Sequence, residues 1–210
     1  MKKFILPLLL LLAIGMLAAV ESAPSDVVGY VKYDCLVGLN HIALPMNQGF
    51  TLAGNFGDAN PGLMDAISYW DASAQTWMAA IDLGYWEGDF PVQTGSVIMV
   101  NALSPFSAYS IGALPATNAS YSMIEGLNDI MVPLNRSDIL MAGDVGTEIG
   151  ALDALSYWDA TAQTWMAAID LGYWEGDFPV SIGFPMQVNA LSTVTWPVRS
   201  ASTTFGTRNK

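Results

Sequence analysis

Residues Asp65 to Val92 are written a second time as Asp153 to Val180, with changes only at Ile67/Leu155 and Ser73/Thr161. This 88-residue period constrains the fold more than any local pattern, because two nearly identical stretches of one chain should build the same local structure twice. The register extends outward on both sides. Gly38-Leu39-Asn40 matches Gly126-Leu127-Asn128, Pro45 matches Pro133, and Asn101-Ala102-Leu103-Ser104 matches Asn189-Ala190-Leu191-Ser192. Read as a duplication without insertions, the chain divides into a β repeat at 24–117 and a second at 118–201, with a leader at 1–23 and a frayed tail at 202–210. The linking segment Ala113 to Ala119 is too short for a free tether, so the two units should pack together. Near-identity alone does not argue for binding, since a recent duplication leaves the same trace. In the less similar parts, Ile42/Ile130 and Leu44/Val132 stay apolar while His41 corresponds to Asp129, which reads as a position where charge is tolerated on an exposed strand.

Of the 210 residues, 52% are hydrophobic and 12% charged. That is too apolar for a disordered chain, and the glycines and prolines punctuate it too often for a helical bundle. The formal charge of −12 repels phosphate backbones and excludes nucleic acid as a partner. Lys2 and Lys3, the apolar run Phe4 to Val20, and the small residues Ala18, Ala19, Ser22 and Ala23 form the three parts of a secretory signal. A permanent anchor is the competing reading, because a span needs roughly 20 apolar residues. No later segment is long enough to span, so the mature chain is expected in the periplasm, at the cell surface or outside the cell. Cys35 is the sole cysteine and corresponds to Met123, which predicts a buried small apolar residue; a bond between two chains is the alternative.

Val31, Tyr33, Cys35 and Val37 alternate with polar residues, Gly38-Leu39-Asn40 supplies turn residues, and Ile42, Leu44 and Met46 follow at period two. The pattern predicts a β-hairpin, repeated around Gly126-Leu127-Asn128. Thr51 or Ser137 is a candidate cap for a short helical turn ended by Gly54, Gly57, Gly143 and Gly146. Over 65–83 two readings compete. Leu152, Leu155, Trp158, Ala162, Trp165, Met166 and Ile169 recur at helical spacing, whereas Ser68-Tyr69-Trp70 and Thr76-Trp77-Met78 flank Asp71 to Gln75 like strands around a hairpin loop. Final strands are expected at Val97–Ala102 and Phe106–Ile111, with counterparts at Met186–Ala190 and Val194–Val198.

The order Gly-Leu-Asn-His-Ile-Ala-Leu-Pro (38–45), Tyr69-Trp70-Asp71-Ala72-Ser73 with Trp77, and Phe90-Pro91-Val92 with Gly95 resembles the repeats of secreted bacterial surface proteins. Their units open with a Gly-Trp-Asn-Leu-Ile-Ser-Leu-Pro-like strand and carry a Tyr-Asp…Trp hairpin. The resemblance covers nearly all of both copies, with Leu39 and Leu127 where that pattern often has Trp. It implies hairpins in the ambiguous stretch and no established catalytic residues. The expected fold is all-β, mainly antiparallel, with short helical turns: two tandem pseudo-symmetric repeats, sandwich- or barrel-like.

The most suggestive chemistry lies in Asp82-Leu83-Gly84-Tyr85-Trp86-Glu87-Gly88-Asp89-Phe90-Pro91 and its copy Asp170 to Pro179. Glycines and a proline make a loop, and a loop can hold rings beside carboxylates at the surface. An aromatic face stacks on a sugar ring while carboxylates accept its hydroxyl hydrogens. Tyr85, Trp86, Glu87 and Asp89, with Tyr173, Trp174, Glu175 and Asp177, are therefore candidate ligand-binding residues for an extracellular glycan, and two equal sites would gain by avidity. Other surface proteins are an alternative partner, and the alternative function is a purely structural or self-assembly module of the cell surface, with the aromatics filling cores and interfaces. Calcium at Asp82, Glu87 and Asp89 is a weaker reading, because the spacing matches no dense acidic loop. With one histidine and one thiol, a duplicated catalytic triad or a zinc site lacks ligands, and no cofactor is expected. Glycoside hydrolysis by Glu87 and Asp89 would need carboxylates roughly 5–9.5 Å apart across a cleft, which residues two apart in a loop rarely provide.

Overall fold

The computed structural model describes residues 28–197. The leader at 1–23 and the tail at 202–210 lie outside the described residues. The fold is mainly antiparallel β, in two similar halves. In the first half, β1 (Val28–Cys35) and β7 (Phe106–Ala113) form a two-stranded ribbon. β2 (Gly38–Ala43), β3 (Met64–Asp71), β4 (Thr76–Asp82), β5 (Trp86–Glu87) and β6 (Val97–Ala102) form a five-stranded sheet in the order β2-β6-β3-β4-β5. Helix α1 (Ala53–Asp58) lies between β2 and β3. The second half repeats this with β8 (Tyr121–Met123) paired to β14 (Val194–Trp196). Its sheet joins β9 (Gly126–Met131), β10 (Leu152–Asp159), β11 (Thr164–Asp170), β12 (Trp174–Glu175) and β13 (Pro185–Ala190) in the order β9-β13-β10-β11-β12, with helix α2 (Ala142–Ile149). Neither sheet closes into a barrel, and among the described residues no helix is long and apolar enough to cross a membrane.

Each half has its own core. Ile42, Phe56, Ile67, Ile98 and Val100 pack together in the first, and Ile130, Val145, Leu155, Met186 and Val188 in the second. A third cluster, Ala43, Val97 and Met131 with Tyr33 and Tyr121 against it, joins the two. Cys35 and Met123 are both buried, as the duplication predicts.

Three expectations need correction. First, β1 and β2 do not form a hairpin: β1 pairs with β7, and β2 pairs with β6. Gly38, at φ +95°, bends the chain from one sheet into the other, and Asn40 holds the bend by donating to the Leu36 and Gly38 carbonyls. Turn residues mark a change of direction, which a corner between sheets also requires. Secondly, Gly54, Gly57, Gly143 and Gly146 lie inside the helices rather than ending them, and neither Thr51 nor Ser137 caps. Asn55 and Asp144 instead reach back to accept the Leu52 and Met141 N–H groups at 3.1 and 3.0 Å. Thirdly, the duplication is not free of shifts. Ala53, first in α1, corresponds to Ala142, one position beyond the 88-residue offset that holds at Pro45/Pro133 and again at Met64/Leu152. An extra residue before α2 is offset by a shorter stretch after it, as surface loops readily allow.

The segment with two competing readings is the hairpin β3–β4, with Asp71 opposite Thr76. Asp71 Oδ1 accepts the Ser73 and Ala74 N–H groups, and these bonds, led by the Ser73 hydroxyl, hold its carboxyl below the ordinary range. Gln75 closes the turn at φ +50°.

Candidate functional site

The acidic aromatic loop joins β4 to β5, and its own backbone fixes it. Asp82 accepts the Gly84 N–H at 2.8 Å, the Leu83 N–H reaches the Tyr85 carbonyl at 2.9 Å, and β5 pairs Trp86 and Glu87 with Asp82 and Ile81. Gly88, at φ +79°, comes so close to β4 that a Cβ would lie 2.7 Å from the Ala79 carbonyl oxygen.

The candidate side chains separate into two groups. Trp86 is half-buried, its indole laid across Gly54 and Gly57 of α1 with Nε1 donating to Asp58 at 3.0 Å. Trp174 lies likewise on Gly143 and Gly146 and donates to Thr147 at 3.3 Å. Asp89 and Asp177 accept the Gly54 and Gly143 N–H groups at 2.9 and 2.8 Å, closing the helix starts from another part of the chain. These four residues hold the loop onto the helix. Tyr85 and Tyr173 are outward, 62% and 61% exposed, and Glu87 and Glu175 beside them are exposed too. Asp82, Glu87 and Asp89 do not converge: among the described residues no group of three acidic, histidine or cysteine side chains is placed to hold a metal ion.

His41 is where the sequence reading fails most clearly. It is buried rather than exposed, at the junction of the halves, with Nε2 3.4 Å from Asp129 Oδ2 and its ring edge-on to Trp165 at 5.3 Å. Its Nδ1 is buried and has no partner among the described residues.

Around that junction each half reaches into the other by the same contacts. Gln75 donates to the Leu127 carbonyl at 3.0 Å and accepts the Leu127 N–H at 2.9 Å, while Trp70 Nε1 donates to the same carbonyl at 2.7 Å. Gln163 and Trp158 do the same to Leu39. The Tyr33 hydroxyl donates to Gly183, and the Tyr121 hydroxyl to Gly95. Burial pushes both phenols well above the ordinary tyrosine range. The exchange leaves two grooves between the halves, one bordered by Tyr69, Trp70 and Tyr121 and the other by Tyr157, Trp158 and Tyr33. Sequence reading missed them because each is lined from both halves. Their only signal was divergence: Gln93-Thr94-Gly95-Ser96 against Ser181-Ile182-Gly183-Phe184, directly after the near-identical stretch ends.

Comparison with protein-family models, with curated proteins and with solved structures finds no match for this chain.

Proposed function

We propose that this is a non-catalytic, exported tandem-repeat protein of the cell envelope or exterior, acting by surface contact through its duplicated loops and taking extracellular glycan as ligand. One observation carries the reading: two copies of a loop, each held by its own backbone bonds and by an indole seated on a helix, display a tyrosine ring beside a free glutamate. A loop whose backbone is held in place presents its ring to a sugar without the cost of ordering the chain, and the adjacent carboxylate accepts hydroxyl hydrogens. Tyr85, Glu87, Tyr173 and Glu175 are the contacting residues in this reading, while Trp86, Asp89, Trp174 and Asp177 position them. Because Asp89 is engaged with α1, Glu87 has no facing carboxylate in the loop for hydrolysis. Binding of the full chain to a glycan array, lost in a Tyr85→Ala/Tyr173→Ala variant with unchanged circular dichroism, is the expected result. Retained binding in that variant would remove the loops from the function.

A second reading, assembly of a surface layer, is favoured by the exposed apolar side chains of Met78, Ile81 and Leu83 along β4 and its following loop, repeated at Met166, Ile169 and Leu171. Concentration-dependent sedimentation that is abolished by Met78→Ser/Met166→Ser, together with a silent array, would favour it over glycan binding.

A further inference from the structure

The two grooves between the halves share a backbone plan but not a lining. The larger encloses about 610 Å3 and is bordered by Tyr69 and Trp70 of the β3–β4 hairpin, Gln93, Thr94 and Ser96 of the turn before β6, and Ser120 ahead of β8. The smaller encloses about 420 Å3, and Ile182 and Phe184 stand where the larger has Thr94 and Ser96. Phe184 packs 6.1 Å from both Tyr157 and Phe178. With serine at that place in the first half, the Tyr69 ring keeps Phe90, 4.5 Å away, and loses the second phenyl ring that closes over Tyr157. Substitutions in the duplicated turn therefore leave both grooves open but line the larger with hydroxyl and amide groups and the smaller with apolar side chains.

We propose that the larger groove is a binding site for a pyranose unit of a neutral oligosaccharide, separate from the outer loops. Its volume falls among small-ligand clefts, roughly 300–1,000 Å3. The aromatic wall is already set. Trp70 is fixed by its bond to the Leu127 carbonyl and by the edge of Trp77 at 5.5 Å, so a stacked ring would meet an ordered surface. The remaining border is hydroxyl and amide. Among the described residues, the Tyr69, Thr94 and Ser120 hydroxyls and the Gln93 side-chain amide make no hydrogen bond to protein. These groups both donate and accept, as vicinal sugar hydroxyls demand. Charge selects against anions. Among the described residues no lysine or arginine borders the groove, the chain carries −12, and Asp129 at the border is engaged by Gln187 and His41. A phosphate or uronate would find no counter-charge, whereas a neutral sugar needs none.

The test is ligand-observed NMR and calorimetry of the full chain with maltotriose, cellotriose, xylotriose and tri-N-acetylchitotriose. At least one is expected to bind at one equivalent per chain with a Kd of ~1 mM or tighter. Ser96→Phe installs the side chain that the second half already accommodates at the same place, so the fold is expected to persist while affinity falls at least tenfold. Gln93→Ala/Thr94→Ala, which alters only side chains at the rim, is the second arm and is expected to weaken binding severalfold even if Ser96→Phe fails to fold. Absence of binding by all four sugars overturns the proposal. So does binding that survives Ser96→Phe in a folded protein, or binding that the rim variant leaves intact. Loss of binding in Tyr85→Ala/Tyr173→Ala, with none in Ser96→Phe, would assign the sugar to the outer loops and overturn the groove while sparing the loop reading.

Discussion

A Cβ added to Gly57 would lie 1.9 Å from Cζ2 of Trp86, and one added to Gly146 would lie 2.1 Å from Cζ2 of Trp174. Two effects compete in Gly57→Ala. Helix propensity favours alanine by ~1 kcal/mol, whereas forcing an extra methyl into a packed site costs ~1–3 kcal/mol. The overlap is with a ring already hydrogen-bonded to Asp58, so the second effect should win, and urea unfolding should show net destabilisation. In a Trp86→Ala background the methyl has room, and the same change is expected to stabilise; destabilisation in both backgrounds would show that the indole is not what excludes the side chain. A different residue-scale prediction concerns pH. Cys35 is free and buried, and burial pushes its thiol up from the ordinary 9.0 to about 11. The unfolded chain therefore ionises first, so the stability present in full below pH 9 declines as pH rises towards 11. Between those values the urea midpoint of the wild type should fall more steeply than that of Cys35→Ala. Tyr33 and Tyr121 act in the same direction at higher pH but are common to both proteins; parallel curves would mean that the thiol is not shielded from water.

At the scale of elements, the hairpin tip is the part that reaches across the molecule. β9 is the outer strand of its sheet, and the Leu127 amide at its start is satisfied by Gln75 from the other half rather than by a strand. Gly126 is needed here twice over: its φ is +100°, and a Cβ would lie 2.6 Å from Gln75 Oε1. Gln75→Asn tests the side chain's reach without straining the turn, because asparagine tolerates the positive φ of this position but is one methylene shorter. Loss of three exposed side-chain to backbone bonds, two to Leu127 and one to Ala72, should lower stability by ~1–2 kcal/mol in urea titration; no change would mean that water replaces them without cost. The hairpin was only half-legible: Trp70/Trp77 and Tyr69/Met78 suit a pleated surface, but the same stretch also carries apolar residues at helical spacing, and the resemblance rather than the pattern favoured strands. The Gly-Leu-Asn motif was misread because sequence shows that a chain bends but not which strand it bends toward. Partners such as β1 and β7 lie too far apart along the chain for local pattern to join them. The indoles were half-legible: Trp86 stood out beside Glu87, but its seat depends on glycines in a helix whose own offset differs from that of the strands.

At the scale of the whole molecule, the meeting of His41 with Asp129 follows from pseudo-two-fold symmetry. The two are equivalent by the duplication and touch at 3.4 Å, so the local axis passes between them. An axis sets like against like, and two identical ionisable residues there would repel at short range in a buried setting. Duplication alone would have placed them so, which gives a physical reason for divergence at this pair when flanking residues such as Asn40/Asn128 and Ile42/Ile130 were kept. The substitution was visible in the sequence, but its meaning was not, since nothing local says that equivalent positions meet. The outer loops were read as loops throughout, whereas Trp86–Glu87 and Trp174–Glu175 within them are short strands, and the grooves stayed hidden until both halves were placed. His41→Asp restores the symmetry and sets two carboxylates against each other. It should destabilise by ~3–5 kcal/mol, the range for breaking a buried pair. Each half has its own buried core, and the apolar cluster that joins them is small, Ala43, Val97 and Met131 with Tyr33 and Tyr121 against it, the remaining cross-half contacts being mainly side-chain hydrogen bonds and the packing of His41 on Trp165. The cost should therefore fall on the junction, turning one cooperative calorimetric transition of the wild type into two in the variant. A single transition merely shifted to lower temperature would show that the halves cannot stand apart and that the axis is part of one indivisible core.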